Sequence, residues 1–249
     1  MEVHAHTHTE RKKFTHYLWE FLMLFLAVFC GFLAENQREH MVEHNREKQY
    51  VESMIEDLKT DSTVMALVIK YNKQQVSGFD SLLQNIYHKP YTDSSLRTLY
   101  YLKEKYTLVG FRMRFSRGTI SQLKNSGGLR LIRNRAVADS IIKYDIITER
   151  ADDQGEGVDY SGKKLLEVSV KIFDGENVRD YNSSSDYKDI LRSTKKFSLL
   201  TDDTRLIKEY ANLAKFKKDV IINYIRQLTN LQNRISGIIQ FLKKEYYLD

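Results

Sequence analysis

The chain has 249 residues, 42% hydrophobic and 29% charged, with 39 Lys and Arg against 33 Asp and Glu for a formal net charge of +6. Acidic and basic residues are interspersed and no dense basic run carries aromatics, which argues against nucleic-acid binding. One proline, Pro90, is too little turn punctuation for a β-sandwich, and one cysteine, Cys30, leaves no cysteine pair.

Residues 1–13 form a short polar tail in which His4, His6 and His8 alternate ahead of Arg11, Lys12 and Lys13. Three imidazoles on one side of an extended segment could bind zinc, copper or nickel; a solvated tail with no ligand fits the same residues.

Residues 14–34 are the one stretch whose apolar length matches a bilayer. About 20 residues at ~1.5 Å rise cross a hydrocarbon core of roughly 30 Å, so the spacing predicts a transmembrane helix. Glu20 interrupts the apolar run and has two readings. It can snorkel to the headgroups beside His16, Tyr17 and Trp19. Alternatively, Glu20, Ala27, Gly31 and Ala34 fall on one side of a 3.6-residue helix, where small residues let a second backbone approach and a polar group finds a partner. No small-x-small cleavage site precedes Glu35, so a signal anchor fits better than a cleaved signal peptide. The Arg11–Lys13 cluster outweighs the scattered Arg38, Arg46 and Lys48, which places the N-terminus in the cytoplasm and everything from Glu35 onward outside it.

Residues 35–50 are nearly all polar or charged and read as a helical stalk. Residues 51–249 are long enough for one helical-bundle domain. Val51, Met54, Ile55, Leu58, Met65, Val68, Ile69 and Val76 make a helical stripe. Gly78 permits a break, and a further segment carrying Phe79, Leu82 and Ile86 stops before Pro90. Thr92 caps the next helix, roughly 96–106. The piece from Leu108 to Phe115, with Arg112 and Arg114, reads as a solvated loop; a basic pocket for an anion is the alternative. A short helix then ends at Gly127-Gly128, and another begins near Arg135.

The N-terminal His-x-His-x-His tail, the 13–35 span, the Gly118-Thr-Ile-Ser-Gln-Leu-Lys-Asn-Ser-Gly-Gly-Leu-Arg-Leu-Ile132 corner and the Lys243-Lys-Glu-Tyr tail together resemble a family of single-pass membrane proteins of Bacteroidota. That resemblance implies a bacterial inner-membrane location with a periplasmic main domain, and it carries no assigned activity, catalytic residue or cofactor. It also implies that Asp61-Ser-Thr63 and Asp139-Ser-Ile141 match a short O-glycosylation pattern of that group's periplasm.

Between 150 and 203, Gly155, Gly157 and Gly162 weaken a helix, and Leu165–Phe173 satisfies both helical and strand periods; its context reads as helix. The last helix, about 204–246, is the clearest: Ile221, Tyr224, Leu228, Leu231, Ile235, Ile238 and Leu242 recur three and four apart as a heptad seam. Its simplest partner is an antiparallel helix within the chain, taken as Val51–Val76.

The chemical inventory is small. His40 and His44 are four apart but lack the His-Glu-x-x-His pattern, and no nucleophile elbow, cysteine pair or phosphate loop is present. The expected fold is all-α, one N-terminal transmembrane helix continuing into an antiparallel bundle with coiled-coil-like packing. The expected function is a membrane-anchored structural or accessory protein of the cell envelope, not an enzyme and without a cofactor. It would act by homo-oligomerisation or by docking to a larger membrane complex. A periplasmic ligand-sensing bundle is the alternative, weakened because about sixteen residues remain on the cytoplasmic side to receive a signal.

Overall fold

The computed structural model describes residues 14–107, 110–181 and 187–248, and the regular elements among them are helical apart from one isolated bridge between Phe173 and Leu199. In chain order they are α1 (Phe14–Ile86), α2 (Asp93–Tyr106), α3 (Gly118–Asn125), α4 (Arg135–Ser169), α5 (Lys188–Arg192) and α6 (Thr204–Tyr246), with 3-10 turns at Gly128–Arg130 and Gly175–Val178. The fold is all-α, as the sequence predicts. Two compact units divide the chain, Met1–Tyr50 and Val51–Asp249.

In the first unit, every residue from 14 to 42 is exposed. Phe21, Phe25 and Phe29 stack along one side with ring centroids 6.3 and 5.9 Å apart, and Trp19 is 65% exposed. This helix is long and apolar enough to cross a membrane, with a mean hydropathy of 2.0 over its best window.

The second unit is a bundle of α4, α6 and the part of α1 from Val51 onward, with α2 and α3 beside them. Asp203 opens α6 by accepting from Arg205 N at 2.8 Å, and the seam behind it is buried at Ile221, Tyr224, Leu228, Leu231, Ile235 and Leu242, with Ile238 half-buried. Each fully buried Leu or Ile contributes roughly 1.5–3 kcal/mol of transfer free energy.

The seam's partner differs from the expected one. α6 lies closest along α4, antiparallel to it: the space beside Gly155 meets the Tyr224 hydroxyl, that beside Gly162 meets Lys217, and Asn134 Nδ2 donates to Glu245 at 2.7 Å. α1 flanks this pair through Lys218–Asp80 at 2.7 Å and Gln232 Nε2 on the Ser62 carbonyl at 3.1 Å.

One glycine reading also changes, and the helix expected over Leu165–Phe173 holds for its first part. α1 does not break at Gly78 but continues to Ile86, and the missing side chain makes room for the Tyr106 ring, which a Cβ would meet at 2.2 Å. α4 runs unbroken through Gly155, Gly157 and Gly162 to Ser169, so the first part of Leu165–Phe173 is helix. Interior glycine costs a helix roughly 0.5–1 kcal/mol against alanine, and close packing with α6 and Arg112 offsets that here. At the corner, Gly127 adopts φ 70°, the left-handed conformation that ends α3's turn before Asn134 caps α4.

Candidate functional site

The residues singled out on the apolar helix are all exposed. Glu20 Oε1 lies 2.9 Å from His16 Nε2, one turn earlier, and a side chain built at Gly31 would meet nothing within 4 Å. Ala27, Gly31 and Ala34 present a smooth strip roughly opposite Phe29, since residues two apart on a helix differ by about 200°. His4, His6 and His8 lie outside the described residues. Among the described residues no group of three His, Cys, Asp or Glu side chains could hold a metal ion.

The segment between α2 and α3 is not a solvated loop. Met113 and Phe115 are buried, and a buried irregular backbone must satisfy its own polar groups. Side chains of α1 do so in order. Gln75 Nε2 donates to the Tyr106 carbonyl at 3.0 Å and Asn72 Nδ2 to that of Phe111 at 2.7 Å; Asp61 accepts from Ser116 N at 2.9 Å and Asp57 from Thr119 N at 3.3 Å. From the other side, the Tyr224 hydroxyl accepts from Met113 N at 2.7 Å and Lys217 Nζ donates to the Thr107 carbonyl at 2.9 Å. Arg112 pairs with Asp159 at 3.1 Å.

Two polar centres result. The first surrounds Asp61, whose other oxygen accepts from the Tyr144 hydroxyl at 2.5 Å. Burial pushes the Asp61 carboxyl up despite these bonds, and burial together with the Asp61 charge pushes the Tyr144 phenol up further. Beside it, Arg117 donates to Asp145 at 2.8 Å, Thr148 at 2.8 Å and Asp152 at 2.6 Å, while Lys124 reaches the second Asp145 oxygen at 2.8 Å. Every group there is spent on tying α3 to α1 and α4. Asp61, the acid of one glycosylation match, is 1% exposed, and Ser140 of the other is part-buried on α4.

The second centre is Lys217, 1% exposed on the α6 seam, where burial pushes its amine down to about 8 against a modest opposing pull from Asp159. Its Nζ also lies 5.7 Å from the centroid of the Phe79 ring. Nearby, Tyr210 is fully buried, and its hydroxyl lies close to Thr107 without reaching hydrogen-bond geometry. Lys103 and Glu104 form a buried pair at 2.5 Å. A cavity of about 210 Å³ opens at Lys217, bounded by Thr107, Gly110, Val158, Asp159, Gly162 and Leu166 among others. Sequence reasoning missed Lys217, although it occupies a seam position, seven residues after Tyr210 and seven before Tyr224.

These features define an all-helical chain with one helix long and apolar enough to cross a membrane and a bundle whose buried polar groups fasten an irregular segment. No family model, curated protein or solved structure matches it.

Proposed function

We propose that the protein is a membrane-anchored structural or accessory component of a bacterial cell envelope, acting by self-association or by docking onto a larger membrane complex. The observation that carries this reading is the uninterrupted exposure of the apolar helix, residues 14–34, with no part of the described chain covering it. An apolar surface of that length is stable only in lipid or against another protein. In this reading the N-terminus is cytoplasmic and the main domain periplasmic, following the Arg11–Lys13 cluster, and the resemblance to single-pass proteins of Bacteroidota supports the same arrangement.

Lipid gives no hydrophobic drive for helices to associate, so close packing at Ala27, Gly31 and Ala34 must supply most of it, with Glu20, paired to His16 one turn earlier, on the same face. Replacing Gly31 with Leu fills that strip and is expected to weaken assembly in mild detergent roughly tenfold, equivalent to about 1.4 kcal/mol. Phe29→Leu is expected to leave the mass and the set of copurifying proteins unchanged. The opposite pattern would show that another face makes the contact. Orientation is tested separately: protease added to sealed, right-side-out spheroplasts is expected to digest the chain after Glu35, and protection of that region would put the bundle in the cytoplasm.

A further inference from the structure

Lys217 is a cation in the core whose ammonium offers three donors and gives one of them to the Thr107 carbonyl at 2.9 Å. Buried charges are ordinarily paired with an opposite charge or fully hydrogen-bonded. No carboxylate among the described residues comes within ion-pair distance of this one: Asp159 is engaged by Arg112, Asp80 by Lys218 and Glu104 by Lys103. The amine instead borders the 210 Å³ cavity, a volume equal to roughly seven waters of the liquid. Two glycines line that cavity. A Cβ on Gly162 would sit 3.1 Å from Lys217 Nζ, so the bare backbone at this point of α4 makes room for the amine at the cavity's edge.

The lining sets the chemistry of an occupant. Lys163 adds a second cation at the rim, and the Asp159 charge is answered by Arg112, so the surroundings favour an anion. Val158 and Leu166 supply aliphatic wall, and Lys217 is the buried cation of the lining, a single ammonium where a phosphate dianion is best held by several charged donors.

We propose that this cavity is a binding site for a small organic monocarboxylate, whose carboxylate accepts hydrogen bonds from Lys217 Nζ and whose short apolar tail lies along Val158 and Leu166. The site lies wholly within Val51–Asp249 and goes beyond the anchoring reading without depending on it. The charged groups lining it beside Lys217 are Asp159 and Lys163 from α4; Arg112, from the segment before α3, pairs with Asp159, and the Phe79 ring of α1 lies 5.7 Å from Lys217 Nζ.

The test is calorimetric titration of the full chain in detergent with acetate, propionate and butyrate at matched ionic strength, and with inorganic phosphate for comparison. Burial of each added methylene predicts affinity rising about fourfold from acetate to propionate and again to butyrate, with phosphate binding no better than chloride. Because burial pushes the Lys217 amine down to about 8 and the bound anion requires the ammonium, binding at or above that pH is expected to take up a fraction of a proton, read from two buffers of different ionisation heat. Lys217→Met should abolish both binding and proton uptake, and Gly162→Ala should weaken binding several-fold. Absence of a chain-length trend, equal binding of phosphate, or binding without proton uptake overturns the proposal, as does no heat at all, which would leave water as the sole occupant. The chain-length series and the proton count are read on the unaltered protein, so they decide the matter even where a variant does not fold.

Discussion

Lys217 sits where a heptad would place an aliphatic side chain, and the free energy of keeping it there depends on pH. In the unfolded chain its amine holds a proton up to its ordinary value near 10.5, whereas in the fold it loses it at about 8. Between those values the unfolded state binds more protons, so stability rises with pH through this window, and the full penalty, on the order of 3 kcal/mol, applies below it. Tyrosines act in the opposite sense. Burial raises Tyr144 and Tyr210 and pushes Tyr224 up to about 12, so above about pH 10 the unfolded phenols ionise first and stability falls. The bundle's denaturation midpoint is therefore expected to climb from pH 8, peak between 9 and 10, and drop beyond. A midpoint that declines steadily from pH 7.5 would mean that Lys217 is charged and satisfied in the fold.

At the level of elements, what could be read in advance depended on whether the reason for a helix is local. α6 was legible because its cap, its seam and its end all lie in neighbouring sequence, and α2 because Thr92 and Ser95 form a reciprocal capping box. The continuity of α1 and α4 was not legible, because the reason for each glycine lies on a distant element: Tyr106 for Gly78, Tyr224 and Arg112 for Gly155, Lys217 for Gly162. Gly78→Ala is accordingly a packing test. In an exposed helix this change stabilises by up to ~1 kcal/mol, but here the methyl collides with an aromatic ring and is expected to destabilise by roughly 1–3 kcal/mol, measured by thermal unfolding. A gain in stability would show that Tyr106 moves aside freely. α3 illustrates the same dependence on distant partners, since Arg117 at its N-cap makes no side-chain capping bond and Asp57 of α1 accepts from Thr119 N instead.

For the molecule as a whole, the membrane-compatible helix and the all-α bundle were readable from hydropathy and period, which are properties of composition along the chain. The pinning of the backbone at Tyr106, Phe111, Ser116 and Thr119 was not, because Gln75, Asn72, Asp61 and Asp57 read as ordinary polar residues of a long helix until the backbone they bind is placed beside them. The two units differ in one further respect. Trp19, exposed on the apolar helix, is the only indole in the chain, so tyrosine is the bundle's emitting residue. Fluorescence excited at the red edge of protein absorbance thus reports the surroundings of the apolar helix, while circular dichroism is dominated by the bundle. Urea titration in detergent is expected to remove ellipticity while the indole emission maximum stays fixed, and transfer from detergent to lipid vesicles is expected to shift that maximum with the ellipticity unchanged. A joint transition in urea would tie the environment of Trp19 to the folding of the bundle.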